Sequence, residues 1–542
     1  MNIRDWLTEP RAGRGVRFAA DDGGWESHSY AELALAARRS GAAMVEAGAR
    51  RGDVVCLLMP TSYPTLCAFF GAWAAGLTPC MITPPSFTST AEYVELVAGI
   101  VRQARPALLV TDEKYAEVAA QVGVPYLHRE ADEPIDVPPV ADDDLAILQF
   151  TSGSTGTPRG IPVSWRNLAV NIASSRAWCG WTDGDSCASW LPLYHDMGLI
   201  GTLLVTICSQ GDMSLMRPAQ FLRDPARWLE CMTTAAVTAA PPFALEYAAA
   251  RIPAERIATW NFEGWRTLFV GAQIVDPAVL DRFATTFAPA GFDPAALRPA
   301  YGMAETTLGV TGTVPGTRPL VVQPEPDTLR FGRPVKLESQ FRLGERPVPA
   351  RSGWLTGCGT PRFDTAVGIV DEDGSALPDD YLGEIVVSGA TLTGGYLGDA
   401  GASGTRFAPG RLHTGDAGFR HDGELFVLGR MGDSLKVNGR AVYVEDLEAA
   451  VIEATGLPAS RCVVVSAPET DRAGVALFVE GRGGEWETAA RDVLRARLGP
   501  GARLRFVLGR PGLIKRTTSG KPRRRALWQQ LQDGAAETIE VS

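Results

Sequence analysis

The first 145 residues alternate amphipathic stretches with short apolar runs. Residues 30–48 carry apolar side chains at helical spacing, whereas residues 53–59 and 106–112 are short runs rich in Val and Leu. Alternation of this kind is typical of a parallel sheet whose strands are connected by helices. We therefore predict an α/β fold for the beginning of the chain.

A glycine-rich loop, TSGSTGTPRG at residues 151–160, follows the apolar strand predicted at residues 145–150. Glycines let backbone amides turn inward and the hydroxyls add donors, so such a loop can wrap a phosphate. The loop lacks the lysine followed by Ser or Thr that ends a Walker motif, which argues against a P-loop kinase or GTPase. Taken alone, a Ser/Thr/Gly loop is a surface linker about as often as a phosphate cradle. Ser164 is positioned to cap the next helix.

The second half of the chain changes in character twice. Residues 314–349 are rich in proline, glycine and charge and predict loops with short β-structure, and residues 365–389 predict two strands around a turn at 371–374. After Gly432 a helix, two apolar strands and a basic run follow. We predict a large N-terminal domain, residues 1–430, of α/β subdomains plus a small β-barrel-like unit. A small, mobile α+β C-terminal domain, residues 431–542, follows it.

The amino-acid composition limits the classes of protein to which the chain can belong. The chain has 542 residues, 45% hydrophobic and 21% charged, which indicates an ordinary globular protein of more than one domain. A net charge of −10 argues against nucleic-acid binding. Residues 60–91 and 197–211 are uncharged, but prolines and short length favour buried helices over membrane spans. Nine cysteines without a CxxC pair indicate reduced thiols, no structural zinc and a cytoplasmic location.

Seven segments occur in an order that resembles one superfamily. They are TSGSTGTPRG (151–160), LPLYHDMGLIG (191–201), AYGMAET (300–306), GEIVVSG (383–389), LHTGDAG (412–418), GRMGDSLKVNGRAVYVEDLE (429–448) and SGKPRR (519–524). The order and wording of these segments resemble the adenylate-forming enzymes, which include acyl-CoA synthetases, peptide-synthetase adenylation domains and luciferases. The second and third segments, with the long spacer 307–356, look most like the fatty-acyl-AMP ligases.

The resemblance implies that the chain uses ATP and Mg²⁺ and assigns binding roles residue by residue. Glu305 would hold Mg²⁺, and Gln273 stands where the family usually has an acidic residue facing adenine, so that contact would rest mainly on the backbone of its two predecessors. The residues expected to bind ATP are Thr151, Ser152, Gly153, Ser154, Thr155, Gly156, Gly271, Ala272, Gln273, Tyr301, Gly302, Met303, Thr306, Asp416 and Arg430.

The resemblance also assigns catalytic and moving parts. Lys521 would touch both anions as a carboxylate attacks the α-phosphate, and a fixed cation there lowers the barrier; a solvated lysine in a basic tail is the alternative. His195 would form a gate or wall of the acyl tunnel, or else be an ordinary buried histidine. Gly432 and Asp433 would form the hinge, and Gly439 would face the incoming thiol.

Three functions remain open at this point. The first is a ligase that converts a carboxylic acid, expected to be a fatty acid, to acyl-AMP and passes it to the phosphopantetheine thiol of an acyl carrier protein. The second is an acyl-CoA ligase with the same catalytic residues, and the third is an inactive nucleotide-binding homologue. In fatty-acyl-AMP ligases an insertion restrains the small domain and disfavours CoA. Composition does not say whether residues 307–356 contain that insertion.

Overall fold

The structure covers most of the chain. It is a computed structural model, and it describes residues 3–85, 90–127, 130–151, 158–349, 353–362, 364–398, 404–431, 434–437, 440–466, 474–499, 502–516, 522–532 and 538–541. The predicted site residues that lie outside the described residues are Ser152, Gly153, Ser154, Thr155, Gly156, Gly432, Asp433, Gly439 and Lys521.

The described elements alternate as the sequence predicts. The helices are α1 Tyr30–Glu46, α2 Tyr63–Ala74, α3 Thr90–Ala104, α4 Ala116–Val122, α5 Trp165–Cys179, α6 Val205–Cys208, α7 Pro218–Arg223, α8 Pro225–Cys231, α9 Pro242–Arg251, α10 Ala254–Ile257, α11 Pro277–Phe287, α12 Val444–Thr455, α13 Trp486–Leu498 and α14 Arg524–Gln532, with a π-helix at Met197–Leu204.

The strands are β1 Gly15–Ala19, β2 Trp25–Ser29, β3 Val54–Leu58, β4 Thr78–Met81, β5 Leu108–Thr111, β6 Tyr126–Leu127, β7 Leu145–Thr151, β8 Arg159–Ser164, β9 Ser186–Ser189, β10 Asp212–Leu215, β11 Val237–Ala240, β12 Thr267–Val270, β13 Leu297–Gly302, β14 Gly309–Gly312, β15 Leu320–Pro324, β16 Leu337–Arg342, β17 Leu355–Thr356, β18 Thr360–Pro361, β19 Thr365–Val370, β20 Ala376–Leu377, β21 Gly383–Gly389, β22 Arg406–Ala408, β23 Arg411–His421, β24 Glu424–Arg430, β25 Ser434–Val437, β26 Arg440–Tyr443, β27 Cys462–Ser466, β28 Gly474–Glu480, β29 Arg503–Gly509 and β30 Thr538–Val541.

Two largely parallel sheets form the framework of the first 313 residues. A nine-stranded sheet has the order β18-β14-β13-β12-β11-β9-β10-β1-β2, and its strands from β1 to β13 along this path run parallel. A four-stranded parallel sheet has the order β4-β3-β5-β6. Parallel neighbouring strands must be joined by crossover connections, and in these two sheets such connections contain the helices α2, α8, α9 and α11. The predicted α/β class is confirmed.

Helix boundaries follow local capping chemistry. The Ser164 hydroxyl accepts from the Asn167 backbone N–H at 3.1 Å, and the Asn167 side chain closes the reciprocal bond of a capping box. The uncharged stretch after Pro60 contains α2, whose core-facing aromatic residues are buried. The stretch from Met197 begins as a π-helix and continues as α6. Among the described helices, none is both long and apolar enough to cross a bilayer.

The largest antiparallel sheet of the described residues lies between residues 365 and 430. Strands β19 to β24 form one sheet in which β23 pairs with β21, β22 and β24. The sequence predicts a barrel-like unit here. The pairings of the described strands leave the sheet open, because β20 lies at one end, β22 and β24 both pair with β23 at the other, and the two ends do not pair with each other.

The end of the chain forms a separate core. Strands β27 to β30 make a four-stranded sheet, and α12 and α13 pack on one of its faces through Leu447, Val451 and Leu494. On the other face, α14 packs through Leu527. Helices and strands are mixed in this unit, as the sequence predicts.

Candidate active site

One cavity is lined by every predicted site residue that the structure describes except Thr306. It has a volume of about 1780 Å³ and opens between the parallel sheet, the β23–β24 hairpin and the C-terminal unit. This volume exceeds that of an ordinary single-ligand pocket and leaves room for two ligands. The predicted residues that line it are Thr151, His195, Gly271, Ala272, Gln273, Tyr301, Gly302, Met303, Glu305, Asp416 and Arg430.

Asp416 is the centre of a charged cluster in this cavity. Its Oδ2 accepts a hydrogen bond of 2.6 Å from the Tyr301 hydroxyl, and its Oδ1 lies 2.9 Å from Arg430 Nε. The register of β23 and β24 places Asp416 directly opposite Arg430. Burial and the Asp416 charge raise the pKa of Tyr301 well above its usual range, so its hydroxyl stays protonated as a donor. The carboxylate is thus fixed in one orientation while 7% of the residue remains exposed.

A tight turn after β13 carries Glu305. A Cβ at Gly302 would lie 1.9 Å from the Leu308 carbonyl oxygen, so only glycine fits at the start of this turn. Thr307 adopts a φ of +68°, which is rare for a β-branched residue, and its hydroxyl donates to the Thr391 carbonyl at 2.8 Å. Strain of this kind clusters at functional sites. The Thr306 hydroxyl donates to the Met303 carbonyl at 2.9 Å, and Thr306 is not among the residues that line the cavity.

Two residues that sequence reasoning missed are linked to the Glu305 carboxylate, Tyr396 directly and Arg159 through the Tyr396 ring. The Tyr396 hydroxyl donates to Glu305 Oε1 at 2.6 Å, and burial, followed by the Glu305 charge, raises the pKa of Tyr396. The Arg159 guanidinium lies over the Tyr396 ring, 4.2 Å from its centroid. Arg159 also pairs with Thr151 across the β7–β8 ladder, so the ends of the glycine-rich loop lie beside Glu305. The Thr151 hydroxyl is buried and has no partner among the described residues.

The ends of parallel strands form the wall opposite this turn. Gly271 follows β12, and a Cβ there would lie 3.1 Å from the Ala300 carbonyl oxygen of the neighbouring β13. Ala272 has a φ of +66°, a left-handed conformation that costs energy for a residue with a side chain. Gln273 follows in the same turn and lines the cavity. Ligands of open α/β sheets bind at this carboxyl edge of the strands.

His195 lies two residues before the first residue of the π-helix. Its Nδ1 is 2.7 Å from Asp196 Oδ1, and the Asp196 carboxylate also accepts from the Met197 backbone N–H at 2.7 Å. The His195 ring is held by this carboxylate while its side chain stays 24% exposed toward the cavity. Single-turn π-helical segments are frequent at functional sites.

The donor set near Glu305 fits magnesium. Among the described residues, no group of three or more His, Cys, Asp or Glu side chains could hold a metal ion. Mg²⁺ keeps several waters and typically takes one or two carboxylates plus phosphate oxygens. A single buried carboxylate near the glycine-rich loop matches that preference, and no ligand set of the kind that zinc requires occurs in the described part of the chain.

The comparison with known families decides the class of the protein. Residues 9–397 match the family of AMP-binding enzymes. The chain belongs to this family. Its members are ATP-using adenylate-forming enzymes, and the resemblance seen in the seven sequence segments is confirmed.

Individual relatives point in the same direction. The chain is 31% identical over 535 residues to the long-chain-fatty-acid–AMP ligase FadD26 of Mycobacterium marinum, covering 91% of this chain and 89% of the relative. It is also 31% identical over 536 residues to a 4-hydroxyphenylalkanoate adenylyltransferase of the same organism, covering 91% and 84%.

A solved structure from work on fatty acyl-adenylate ligases of E. coli and L. pneumophila superposes with a TM-score of 0.86. The sequence identity is 26%, and the match covers 98% of both chains. The predicted fold class and enzyme class are therefore confirmed.

Proposed function

We propose that this AMP-binding enzyme activates a carboxylic acid as acyl-AMP and transfers the acyl group to the phosphopantetheine thiol of an acyl carrier protein. In the first step a carboxylate oxygen attacks the α-phosphorus of ATP and pyrophosphate leaves. In the second step the thiol sulfur attacks the acyl carbonyl, loses its proton, and AMP leaves with the oxygen that came from the acid. The observation that carries this proposal is the convergence of Asp416, Glu305 and the end of the glycine-rich loop on one cavity.

The Asp416 cluster supports ribose binding. An ionised carboxylate has two acceptor oxygens and can take hydrogen bonds from both ribose hydroxyls. Tyr301 and Arg430 orient it before the nucleotide arrives, which lowers the cost of ordering on binding. The adenine would then lie against the turn that follows β12, on the backbone of Gly271 and Ala272, which line the cavity.

The phosphate end of the nucleotide has complementary chemistry. The buried Thr151 hydroxyl, which has no partner among the described residues, is a donor that a phosphate oxygen would satisfy, and the adjoining residues 152–156 would add amides and hydroxyls. Glu305 would hold Mg²⁺, which when bound neutralises part of the charge on the phosphates. Lys521 would supply the second cation, at the attacked α-phosphate.

The acceptor preference rests on the spacer between Thr307 and Thr356. Its strands β15, β16 and β17 form a three-stranded sheet. This sheet is anchored to the rest of the N-terminal part: Phe341 and Trp354 join the core of α11, and Arg342 lies 2.6 Å from the buried Glu424 carboxylate.

The same sheet also reaches the C-terminal unit. Tyr443, the last residue of β26, is 2% exposed and packs in one cluster with Leu320, Val322 and Leu355 of the spacer sheet. Such packing would hold the small domain near its present position. Restraint of this kind supports a ligase that hands acyl-AMP to a carrier protein over one that turns the small domain freely toward CoA.

The domain boundary near residue 430 and the hinge at Gly432 and Asp433 belong to this proposal. Support for the boundary comes from the cores of the parallel sheets, which lie wholly before it, and from the core of β27 to β29 with α12 and α13, which lies wholly after it. A cytoplasmic location is also part of the proposal, since all nine cysteines are free and buried. Burial raises the pKa of the Cys179 thiol to about 11, so that this thiol is not ionised near neutral pH.

An acid screen tests the proposal. The protein is incubated with ATP, Mg²⁺ and a panel of fatty and aryl acids, and pyrophosphate and acyl-AMP are quantified with no thiol, with CoA, and with a phosphopantetheinylated carrier protein. We expect acyl-AMP without thiol and transfer to the carrier but not to CoA. Efficient acyl-CoA formation would replace the proposal by the CoA ligase, and no pyrophosphate with any acid would indicate an inactive homologue.

A further inference from the structure

One face of α5 turns polar side chains into the cavity. Asn171, Ser174, Ser175 and Trp178 all line it, and their spacing of three, four and seven residues places them on a single side of the helix. A helix face directed into a protein interior is normally apolar. None of the residues expected to bind ATP lies on this helix, so the polar face requires a separate explanation.

The Asn171 side chain is buried with incomplete hydrogen bonding. The residue is 3% exposed, and its Oδ1 has no hydrogen-bond partner in the described part of the chain. Two other polar side chains of the same helix do have partners: the Asn167 amide donates to the carbonyls of Ala390 and Leu392, and the Trp178 ring N–H donates to the Thr313 carbonyl at 2.7 Å. The Asn171 oxygen is the buried side-chain atom of this helix that lacks a partner among the described residues.

A second amide in the same cavity shares this property. Gln149 lies on β7, two residues before Thr151, and its buried Nε2 has no partner among the described residues. Near the beginning of the π-helix and the Glu305 turn, the cavity wall carries apolar side chains, including Met197 and Leu308, beside the charged groups of Asp196 and Glu305. Apolar surface with polar groups at defined positions is the usual composition of a site that fixes a ligand's orientation.

We propose that Asn171 selects acids that carry a hydroxyl group on the acyl chain over acids of the same length without one. This inference rests on the proposed acyl-AMP function and names its substrate class. A buried amide without a partner costs free energy, and a ligand hydroxyl recovers it. A hydroxyl both donates and accepts, so it satisfies the amide oxygen or, after a 180° rotation of the amide, its NH₂ group. A plain alkyl chain satisfies neither.

The test compares matched pairs of acids in the full-length protein. We measure kcat/KM for acid-dependent pyrophosphate release with decanoate and its positional hydroxydecanoates, and with 3-phenylpropanoate and its 4-hydroxy derivative. For the wild type we expect one hydroxylated member to be preferred by about tenfold or more. In Asn171→Leu that preference should fall to about unity, through loss on the hydroxy acid and not through a general loss of activity.

The matched control is Thr267→Val. Thr267 is fully buried, its hydroxyl also has no partner in the described residues, and it does not line the cavity. Both substitutions remove an unsatisfied buried polar atom, so both should raise the unfolding temperature of the ligand-free protein. Only Asn171→Leu should change the selectivity between paired acids. Asn171→Asp, which keeps the shape and an acceptor, provides a second variant for the selectivity measurement.

The outcomes separate this inference from the proposed function. If the wild type adenylates plain acids and no hydroxy acid is preferred, or if Asn171→Leu keeps the preference, the inference is wrong and the acyl-AMP function stands. A lower unfolding temperature for Asn171→Leu would show that the amide has a structural partner and would also overturn it. If no acid supports pyrophosphate release, the proposed function itself fails.

Discussion

Replacing Tyr301 by Phe tests how the nucleotide is held. The substitution keeps the ring and removes only the hydroxyl that donates to Asp416 at 2.6 Å. A hydrogen bond to a charged group contributes about 1.5–3 kcal/mol, and since Arg430 still holds the other carboxylate oxygen we take the lower value. Because 1.4 kcal/mol is tenfold in an equilibrium constant, kcat/KM for ATP should fall by about tenfold.

The assay separates ribose binding from general damage. Pyrophosphate release is measured with ATP and with 2′,3′-dideoxy-ATP, which lacks both hydroxyls that Asp416 would bind. If Tyr301 acts by orienting Asp416 toward the ribose, the tenfold penalty applies to ATP and nearly disappears with the dideoxy nucleotide. Tyr247→Phe is the control, because that tyrosine also lines the cavity and donates at 2.6 Å, but to the Leu222 carbonyl. An equal penalty with both nucleotides would refute the assignment of Asp416.

Three further substitutions have separate readouts. Lys521→Ala should abolish adenylation while ATP binding, measured by calorimetry, is largely kept; unchanged pyrophosphate release would remove Lys521 from the mechanism. Tyr396→Phe leaves Glu305 without its 2.6 Å donor and should lower the rate about tenfold at limiting Mg²⁺, and a rate independent of Mg²⁺ concentration in both proteins would contradict this. The Ser29 backbone N–H and hydroxyl hold the pKa of Glu32 below its usual range. The stability that the Glu32 carboxylate contributes is therefore present above that range and is lost as the pH falls through the lowered pKa. Glu32→Gln should flatten this loss of the unfolding temperature at acid pH, and an unchanged pH profile of thermal unfolding would contradict the prediction.

Local signals in the sequence predict much of the fold. The Ser164 cap and the alternation of helices and strands at the beginning of the chain both depend on residues near one another in the sequence, and both are found as predicted. The β23–β24 hairpin brings Asp416 and Arg430 together through register alone. These features are readable because turn chemistry and periodicity are local.

The remaining features depend on contacts between distant segments. The Tyr396 hydroxyl donates to the Glu305 carboxylate from 91 residues away in the sequence, and no sequence motif predicts this hydrogen bond. Tyr443 shares a hydrophobic cluster with residues of the spacer sheet more than 80 positions before it, and the open form of the sheet from β19 to β24 follows from which edges remain unpaired. In the sequence, Asn171 is one polar residue of a predicted helix, and only the structure places it beside the cavity.

The most direct test follows an oxygen atom. The enzyme is given an accepted acid labelled with ¹⁸O in its carboxylate, together with ATP, Mg²⁺ and the carrier protein, and the AMP released is analysed by mass spectrometry. Attack of the carboxylate on the α-phosphorus predicts one ¹⁸O in the phosphate of AMP for each acyl group transferred. Unlabelled AMP, or label found in inorganic phosphate, would contradict the formation of acyl-AMP in this cavity.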